Sequence, residues 1–212
     1  MSKPPLTRLS SDEEEFVDTI RRFLDQAVAP HVQRMDKQGH MDPEVIESLF
    51  EHGLFAIQVP EEYGGLGQTL FRSVLAIEEV ASFDPSLSVM IDVHNTLILR
   101  SLERWATEEQ KSEWFPKLAR DTVGAFCLSE PESGSDAFAL RTRAEKTDNG
   151  WLLNGSKMWI TNAAEAGLFV VFANASPDDG YRGISTFLVP RDTDGLVVGE
   201  REQKVGLKAS ST

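Results

Sequence analysis

Two stretches in the second half of the chain contain residue types that could bind a ligand. The first runs from Phe126 to Asp136 and passes from apolar residues into a loop rich in serine and glycine. Such a loop offers backbone N–H groups and hydroxyls to an anion, as phosphate-binding loops do. The same composition is also typical of an ordinary turn. Taken alone, this stretch favours a turn over an anion site.

The second stretch runs from Asn154 to Asn162 and contains Trp159, Ile160 and Thr161. A strand with Trp followed by Thr can present a flat apolar ring and a hydroxyl to a planar ligand. A tryptophan in the core of a hairpin is the alternative. Taken alone, this stretch favours the core tryptophan.

The chain before residue 121 predicts helices that would support these stretches. Ser11 and Glu14 have the spacing of a capping box, and apolar residues then recur at helical intervals. Asp42-Pro43 is typical of a helix start, with Asp as N-cap and Pro at the first position. We expect further helices over 70–82 and 85–105, and one that begins at the capping box of Thr107 and Gln110.

Short strands are predicted after residue 121. Asp148-Asn149-Gly150 and Asn154-Gly155 are hairpin-type turns, and other apolar runs are separated by Asp- and Gly-rich turns. We expect strands over 123–128, 167–173, 184–189 and 196–198. The predicted fold class is α+β, with an all-α helical domain over 1–121 and an incomplete antiparallel β-barrel or sandwich over 122–212. We expect more chain to follow, because so few strands do not close a barrel.

Composition excludes several functional classes. The chain has 212 residues with 21 Lys plus Arg against 34 Asp plus Glu, which gives a formal net charge of −13. Nucleic-acid binding needs a basic face, so we expect no nucleic-acid partner. No apolar stretch approaches the ~20 residues that span a bilayer, and no signal or transit segment is visible at the start. The single cysteine, Cys127, excludes an intramolecular disulfide.

The histidines have no spacing that we recognise as metal-binding, so no metal site is predicted. We expect surface or capping positions for all four of them: His31, His40, His52 and His94.

Together, the two stretches resemble the acyl-CoA dehydrogenase family of flavoproteins. Residues 63–67, 183–189 and 204–212 are also similar to segments of that family, and the resemblance extends from about residue 9 to 212. Residues 135–140 and 166–169 look closest to the short/branched-chain members. The family usually has Gly or Ala where this chain has Glu132 and Ser133, and we expect the Glu132 carboxylate to point to solvent.

The resemblance implies a role for each site residue. The first loop would run along FAD, with the flavin ring near Leu128 and Ser129 and the pyrophosphate near Gly134 and Ser135. Ser135 would also contact the acyl-CoA substrate, as would Tyr181, for which a half-exposed turn position is the alternative. Thr161 would donate a hydrogen bond to flavin N5. The full set of cofactor-binding residues implied is Phe126, Cys127, Leu128, Ser129, Glu130, Gly134, Ser135, Trp159, Ile160 and Thr161.

The resemblance also implies a reaction, α,β-dehydrogenation of a short or branched acyl-CoA. A carboxylate base removes the α proton, and hydride passes to flavin N5. Electrons then pass to an electron-transfer flavoprotein. In the family the base is a Glu of a C-terminal helical domain, so we expect no catalytic base among these 212 residues and no activity from this chain alone. Family members form homotetramers, in the mitochondrial matrix of eukaryotes or the bacterial cytoplasm.

Two alternatives to a dehydrogenase are open from the sequence. The first is a related flavin oxidase that passes electrons to oxygen. The second is a non-catalytic truncated product, whose exposed apolar edges would favour association with a partner.

Overall fold

A computed structural model describes residues 8–212 of the chain. These residues form two compact units. One contains the described residues up to Asp121 together with Val205–Ser210, and the other contains Thr122–Lys204 with Ser211 and Thr212. Within the described part of the chain, no helix is both long enough and apolar enough to cross a membrane.

The first unit is helical, as predicted. Most of its apolar side chains are buried, including Leu24, Leu49, Phe55 and Phe115. Its helices are α1 (Ser11–Ala27), α2 (Val32–Gln38), α3 (Pro43–Glu51), α4 (Leu70–Phe83), α5 (Pro85–Asp92), α6 (Arg100–Trp105) and α7 (Glu108–Arg120).

The helix starts follow the capping rules with one shift. Thr107 and Gln110 form the predicted capping box of α7, and Pro43 begins α3 after Asp42. At α1 the capping box uses Ser10 and Glu13 instead of Ser11 and Glu14. Both pairs have the same spacing, and the first one forms because the Glu13 carboxylate accepts a 2.7 Å hydrogen bond from the Ser10 N–H.

The predicted helix over 85–105 is interrupted. Val93–Leu99, between α5 and α6, is a π-helix, which widens the turn by one residue. His94 in this segment is fully buried, with its ring 4.9 Å from that of Phe55. The expectation that every histidine is a surface or capping residue is therefore wrong for His94. Burial lowers its pKa to about 3, so the ring is neutral.

The second unit contains a five-stranded sheet. Its strands are β1 (Val123–Cys127), β2 (Arg143–Thr147), β3 (Gly150–Asn154), β4 (Ala166–Asn174) and β5 (Ile184–Pro190). The order is β1-β4-β2-β3, and β5 also pairs with β4. The β2–β3 and β4–β5 pairs are antiparallel, but β1 and β2 both run parallel to β4. The order of a helical domain before a β domain is confirmed. The sheet is mixed where an antiparallel one was predicted, because β1 lies beside β4 rather than beside its neighbour in sequence.

Two predicted strands do not form. Asn154-Gly155 does not begin a second hairpin, because the Met158 N–H donates to the Ser129 carbonyl at 2.9 Å instead of to β3. Residues 191–204, all of which are described, contain no strand. There the Leu196 N–H closes a turn on the Thr193 carbonyl at 3.1 Å. Leu196 and Val198 nevertheless pack against the core of the unit, which explains their apolar pattern.

Candidate functional site

The loop after β1 is a tight turn that exposes two of the predicted site residues. Glu130 and Ser133 exchange backbone hydrogen bonds of 2.9 and 3.1 Å. The Ser133 hydroxyl donates to the Asp136 carbonyl at 2.9 Å, which closes the next turn. Gly134 and Ser135 lie between these contacts and are exposed. A Cβ on Gly134 would meet no atom within 4 Å, so there is free space beside this part of the loop.

The Glu130 carboxylate is buried below the loop and holds four hydrogen bonds. Its Oε1 accepts from the Lys157 ammonium at 2.7 Å and from the Thr142 hydroxyl at 2.5 Å. Two backbone N–H groups, of residues 141 and 142, donate to the same carboxylate. Burial alone would raise the pKa of Glu130, but these donors outweigh it and lower the pKa to about 2. Glu130 is therefore a poor proton acceptor and is ionised at neutral pH.

The second stretch exposes the side chain of its tryptophan, Trp159. Trp159 has a φ of +57°, a conformation that is rare for a bulky side chain. Its side chain is 62% exposed although it lies between contacts to the core. A strained backbone with an exposed aromatic ring is typical of functional sites.

The residues after Trp159 are anchored to the sheet. Ile160 packs against the core of the unit. The Thr161 and Thr212 hydroxyls lie 3.0 Å apart, within hydrogen-bond distance. The buried Asn162 has a φ of +70°, which Asn tolerates, and its side-chain amide donates to the Gly124 carbonyl at 3.2 Å.

Two predicted cofactor residues have side chains that face the protein. Phe126 is half-buried, with its ring 5.0 Å from that of Phe172. Cys127 is buried in the core, and burial raises the pKa of its thiol to about 12. The Cys127 thiol is therefore not available to a ligand.

Tyr181 lies in an exposed aromatic pair. Its ring centroid is 5.0 Å from that of Phe138, and the Arg182 guanidinium lies 5.5 Å from its centroid. Tyr181 is 55% exposed and Phe138 is 68% exposed. Two exposed rings beside a guanidinium could bind a flat or anionic group.

The structure joins the two predicted stretches directly. Lys157 contacts both Glu130 and the Leu128 carbonyl, and Met158 bonds to Ser129. Glu132 is exposed, with a carboxylate oxygen 3.5 Å from the Arg141 guanidinium, so the expectation that it points to solvent is correct. Sequence reasoning missed Lys157 and Thr142. The only signal in the sequence was that Lys157 precedes an apolar run and that Glu130 follows the apolar residues of β1.

One cluster in the helical unit brings together groups that can ligate a metal. His31, Asp42 and Glu44 offer ligand atoms within 4.8 Å of one another. The Arg34 guanidinium already pairs with both carboxylates, at 2.6 and 2.7 Å. It supplies the positive charge that a metal ion would bring.

The helical unit, the mixed sheet and the two joined loops agree with comparisons against known proteins. Residues 10–122 match the model of the acyl-CoA dehydrogenase N-terminal domain, and residues 125–212 match that of the middle domain. The chain belongs to the acyl-CoA dehydrogenase family.

Within the family, the chain is similar to short/branched-chain members. It is 47% identical over 212 residues to the mitochondrial short/branched chain specific acyl-CoA dehydrogenase of Bos taurus, an alignment that covers 99% of this chain and 49% of that protein. The chain thus spans about half the length of the curated relatives that it matches.

Two solved structures have the same fold. Butyryl-CoA dehydrogenase from Megasphaera elsdenii superposes with a TM-score of 0.91 at 32% identity, over 99% of this chain and 55% of that one. Glutaryl-CoA dehydrogenase from Mycobacterium smegmatis, solved in complex with FADH2, gives a TM-score of 0.87 at 35% identity, over 95% and 51% of the two chains.

Proposed function

We propose that the β unit forms the flavin-facing wall of an FAD-dependent acyl-CoA dehydrogenase. The observation that supports this most is the exposed Trp159, held with a positive φ beside the loop after β1. An indole displayed in this way is suited to pack against a flat ring. The open space next to Gly134 is a second feature that fits a bound cofactor.

The individual residues fit this proposal in different ways. Gly134 and Ser135 are exposed and could approach the pyrophosphate. Thr161 has a hydroxyl that can bond to both Thr212 and a flavin nitrogen. The side chains of Cys127 and Glu130 are buried, so these two would contact FAD only through their backbones.

The substrate we propose is a short or branched acyl-CoA thioester. Ser135 and the ring of Tyr181 would contact it. Bound FAD would supply the acceptor for the hydride that leaves the β carbon. The protein would orient the thioester and exclude water from the reacting carbons.

The catalytic base, in this proposal, lies outside these 212 residues. Glu130 is the buried carboxylate within the predicted flavin loop, and it is unsuited to the task. Its pKa is lowered to about 2, and its oxygens are occupied by donors from Lys157, Thr142 and the backbone. A base that accepts the α proton needs a free oxygen and a higher pKa.

We further propose that the complete enzyme passes electrons to an electron-transfer flavoprotein and assembles as a homotetramer. Membership of the family supports both points. The compartment follows the source, which is the mitochondrial matrix for a eukaryotic protein and the cytoplasm for a bacterial one.

An absorption spectrum tests the proposal. The purified chain is incubated with FAD, freed of excess flavin, and then mixed with a short branched acyl-CoA such as isobutyryl-CoA. We expect a retained flavin band that the thioester does not bleach. Loss of the whole band on removal of excess FAD would contradict the flavin wall. Bleaching would instead contradict the placement of the base outside this chain.

A further inference from the structure

The segment that carries Trp159 is fixed to the sheet unit at both of its ends. Before the tryptophan, the Met158 N–H donates to the Ser129 carbonyl at 2.9 Å. After it, the Asn162 side chain donates to the Gly124 carbonyl. Between these anchors Trp159 has the positive φ that disfavours a bulky residue. A conformation of this kind persists only where the surroundings over-determine it.

The Lys157 ammonium is the strongest candidate for that constraint. It is almost buried, with 11% of the side chain exposed. It donates to Glu130 Oε1 at 2.7 Å and to the Leu128 carbonyl at 3.2 Å. One side chain, two residues before Trp159, therefore links the tryptophan segment to the end of β1.

Glu130 is itself held rigidly. The Thr142 hydroxyl and two backbone N–H groups donate to its carboxylate, so its oxygens are satisfied without a ligand. A fully bonded carboxylate is a fixed point to which Lys157 can attach. The two charged groups are therefore bonded to each other, and Lys157 is also bonded to the Leu128 carbonyl.

We propose that Lys157 and Glu130 are positioning residues that hold Trp159 in its strained, displayed conformation. The pair acts on the cofactor only through the tryptophan. This inference rests on the proposed flavin wall and adds a residue, Lys157, that the site prediction lacked. It also gives the Glu130 side chain a role as a support for the loop.

The first test uses hydrogen exchange and needs no flavin. Lys157→Met keeps the aliphatic stem and removes the charge, and Lys146→Met, at an exposed position of β2, is the matched control. Exchange at the amides of residues 158–161 is followed by NMR in both variants. We expect faster exchange there in the Lys157 variant, with β4 amides and the control unchanged. Exchange that rises equally throughout the unit, or nowhere, would overturn the proposal.

The second test measures coupling to Trp159 in FAD affinity, followed by the quenching of flavin fluorescence. We expect Lys157→Met to weaken FAD binding about tenfold, within the range of coupling seen inside one hydrogen-bond network. In a Trp159→Gly background the same change should have little further effect, and Lys157→Arg should restore part of the affinity. Additive losses would show that Lys157 does not act through Trp159.

The two tests separate this inference from the proposed function. If the wild-type chain binds no FAD, the flavin wall is wrong and the exchange experiment alone decides whether the pair holds the segment. If FAD binds and Lys157→Met leaves both affinity and exchange unchanged, the flavin wall stands and the positioning pair is refuted.

Discussion

Replacement of Trp159 by glycine and by alanine measures the strain at the candidate site. Both variants lose the indole, a little over a third of which is buried. With about 200 Å² for a whole tryptophan and ~25 cal/mol per Å², that loss is roughly 2 kcal/mol of unfolding free energy in each variant. The difference in unfolding free energy between the two variants therefore reports the backbone conformation alone.

The sign of that difference is unusual at this position. At ordinary positions glycine is less stable than alanine by about 0.5–1 kcal/mol, because its unfolded chain has more freedom. A residue with a Cβ loses about 1–2 kcal/mol in the left-handed region, and glycine does not. Since Trp159 has a φ of +57°, we expect Trp159→Gly to be more stable than Trp159→Ala by roughly 0.5–1 kcal/mol.

Urea unfolding of the flavin-free chain, followed by far-UV circular dichroism, measures both variants. Trp151 on β3 provides the control, because it is also half-exposed and has no positive φ. There, alanine should be the more stable of the two replacements. If alanine is also the more stable one at Trp159, the strain argument is refuted. FAD affinity should fall in both Trp159 variants, because the loss of the ring does not depend on the backbone.

Four further predictions concern the same unit. The folded pKa of Glu130 lies near 2, below its ordinary value of 4.5, so its contribution to stability is complete above about pH 5 and is lost as the pH falls toward 2. Urea unfolding at pH 6 and pH 3 should show a smaller loss for Glu130→Gln than for the wild type, and equal losses would contradict this. The Cys127 thiol, buried and with a pKa of about 12, should react with iodoacetamide at pH 8 only in urea, and rapid alkylation of the folded chain would contradict its burial. Gly155→Ala would place a Cβ 2.4 Å from the Thr142 hydroxyl and should cost about 1–3 kcal/mol of unfolding free energy. Gly134→Ala, with no atom within 4 Å, should leave stability unchanged and weaken FAD binding, and the reverse pattern would contradict the placement of the loop.

Local rules predict the helical unit well because its signals lie within one turn of the chain. The capping box at Thr107 and the Asp42-Pro43 start are decided by neighbours three or four residues away. The same locality explains the shift at α1. Ser10 and Ser11 are each followed by a glutamate three residues later, so the sequence does not decide which of them is the N-cap. Locality also explains the π-helix over Val93–Leu99, since a continuous apolar pattern does not distinguish α from π hydrogen bonding.

The sheet unit and the candidate site are predicted less completely. The parallel pairing of β1 with β4 joins residues about 40 positions apart, and no local signal encodes it. The segment 155–162 resembles a strand because Trp159, Ile160 and Thr161 are residue types common in strands. Its backbone bonds run to Ser129 instead, and that contact depends on the tertiary fold. The motif residues could be located by resemblance, whereas the Lys157–Glu130 pair below them could not.

The presence of this buried pair is itself an argument for a geometric role. A buried ion pair is often no more stabilising than apolar residues of the same size, because desolvation of both charges offsets their attraction. Lys157 and Glu130 nevertheless lie where their bonds reach the Leu128 carbonyl and the Thr142 side chain. An apolar replacement would fill the same volume but would not fix the orientation of the tryptophan segment. The pair therefore fixes the orientation of the segment that carries Trp159. A flat cofactor that packs against this side chain would need such a fixed orientation.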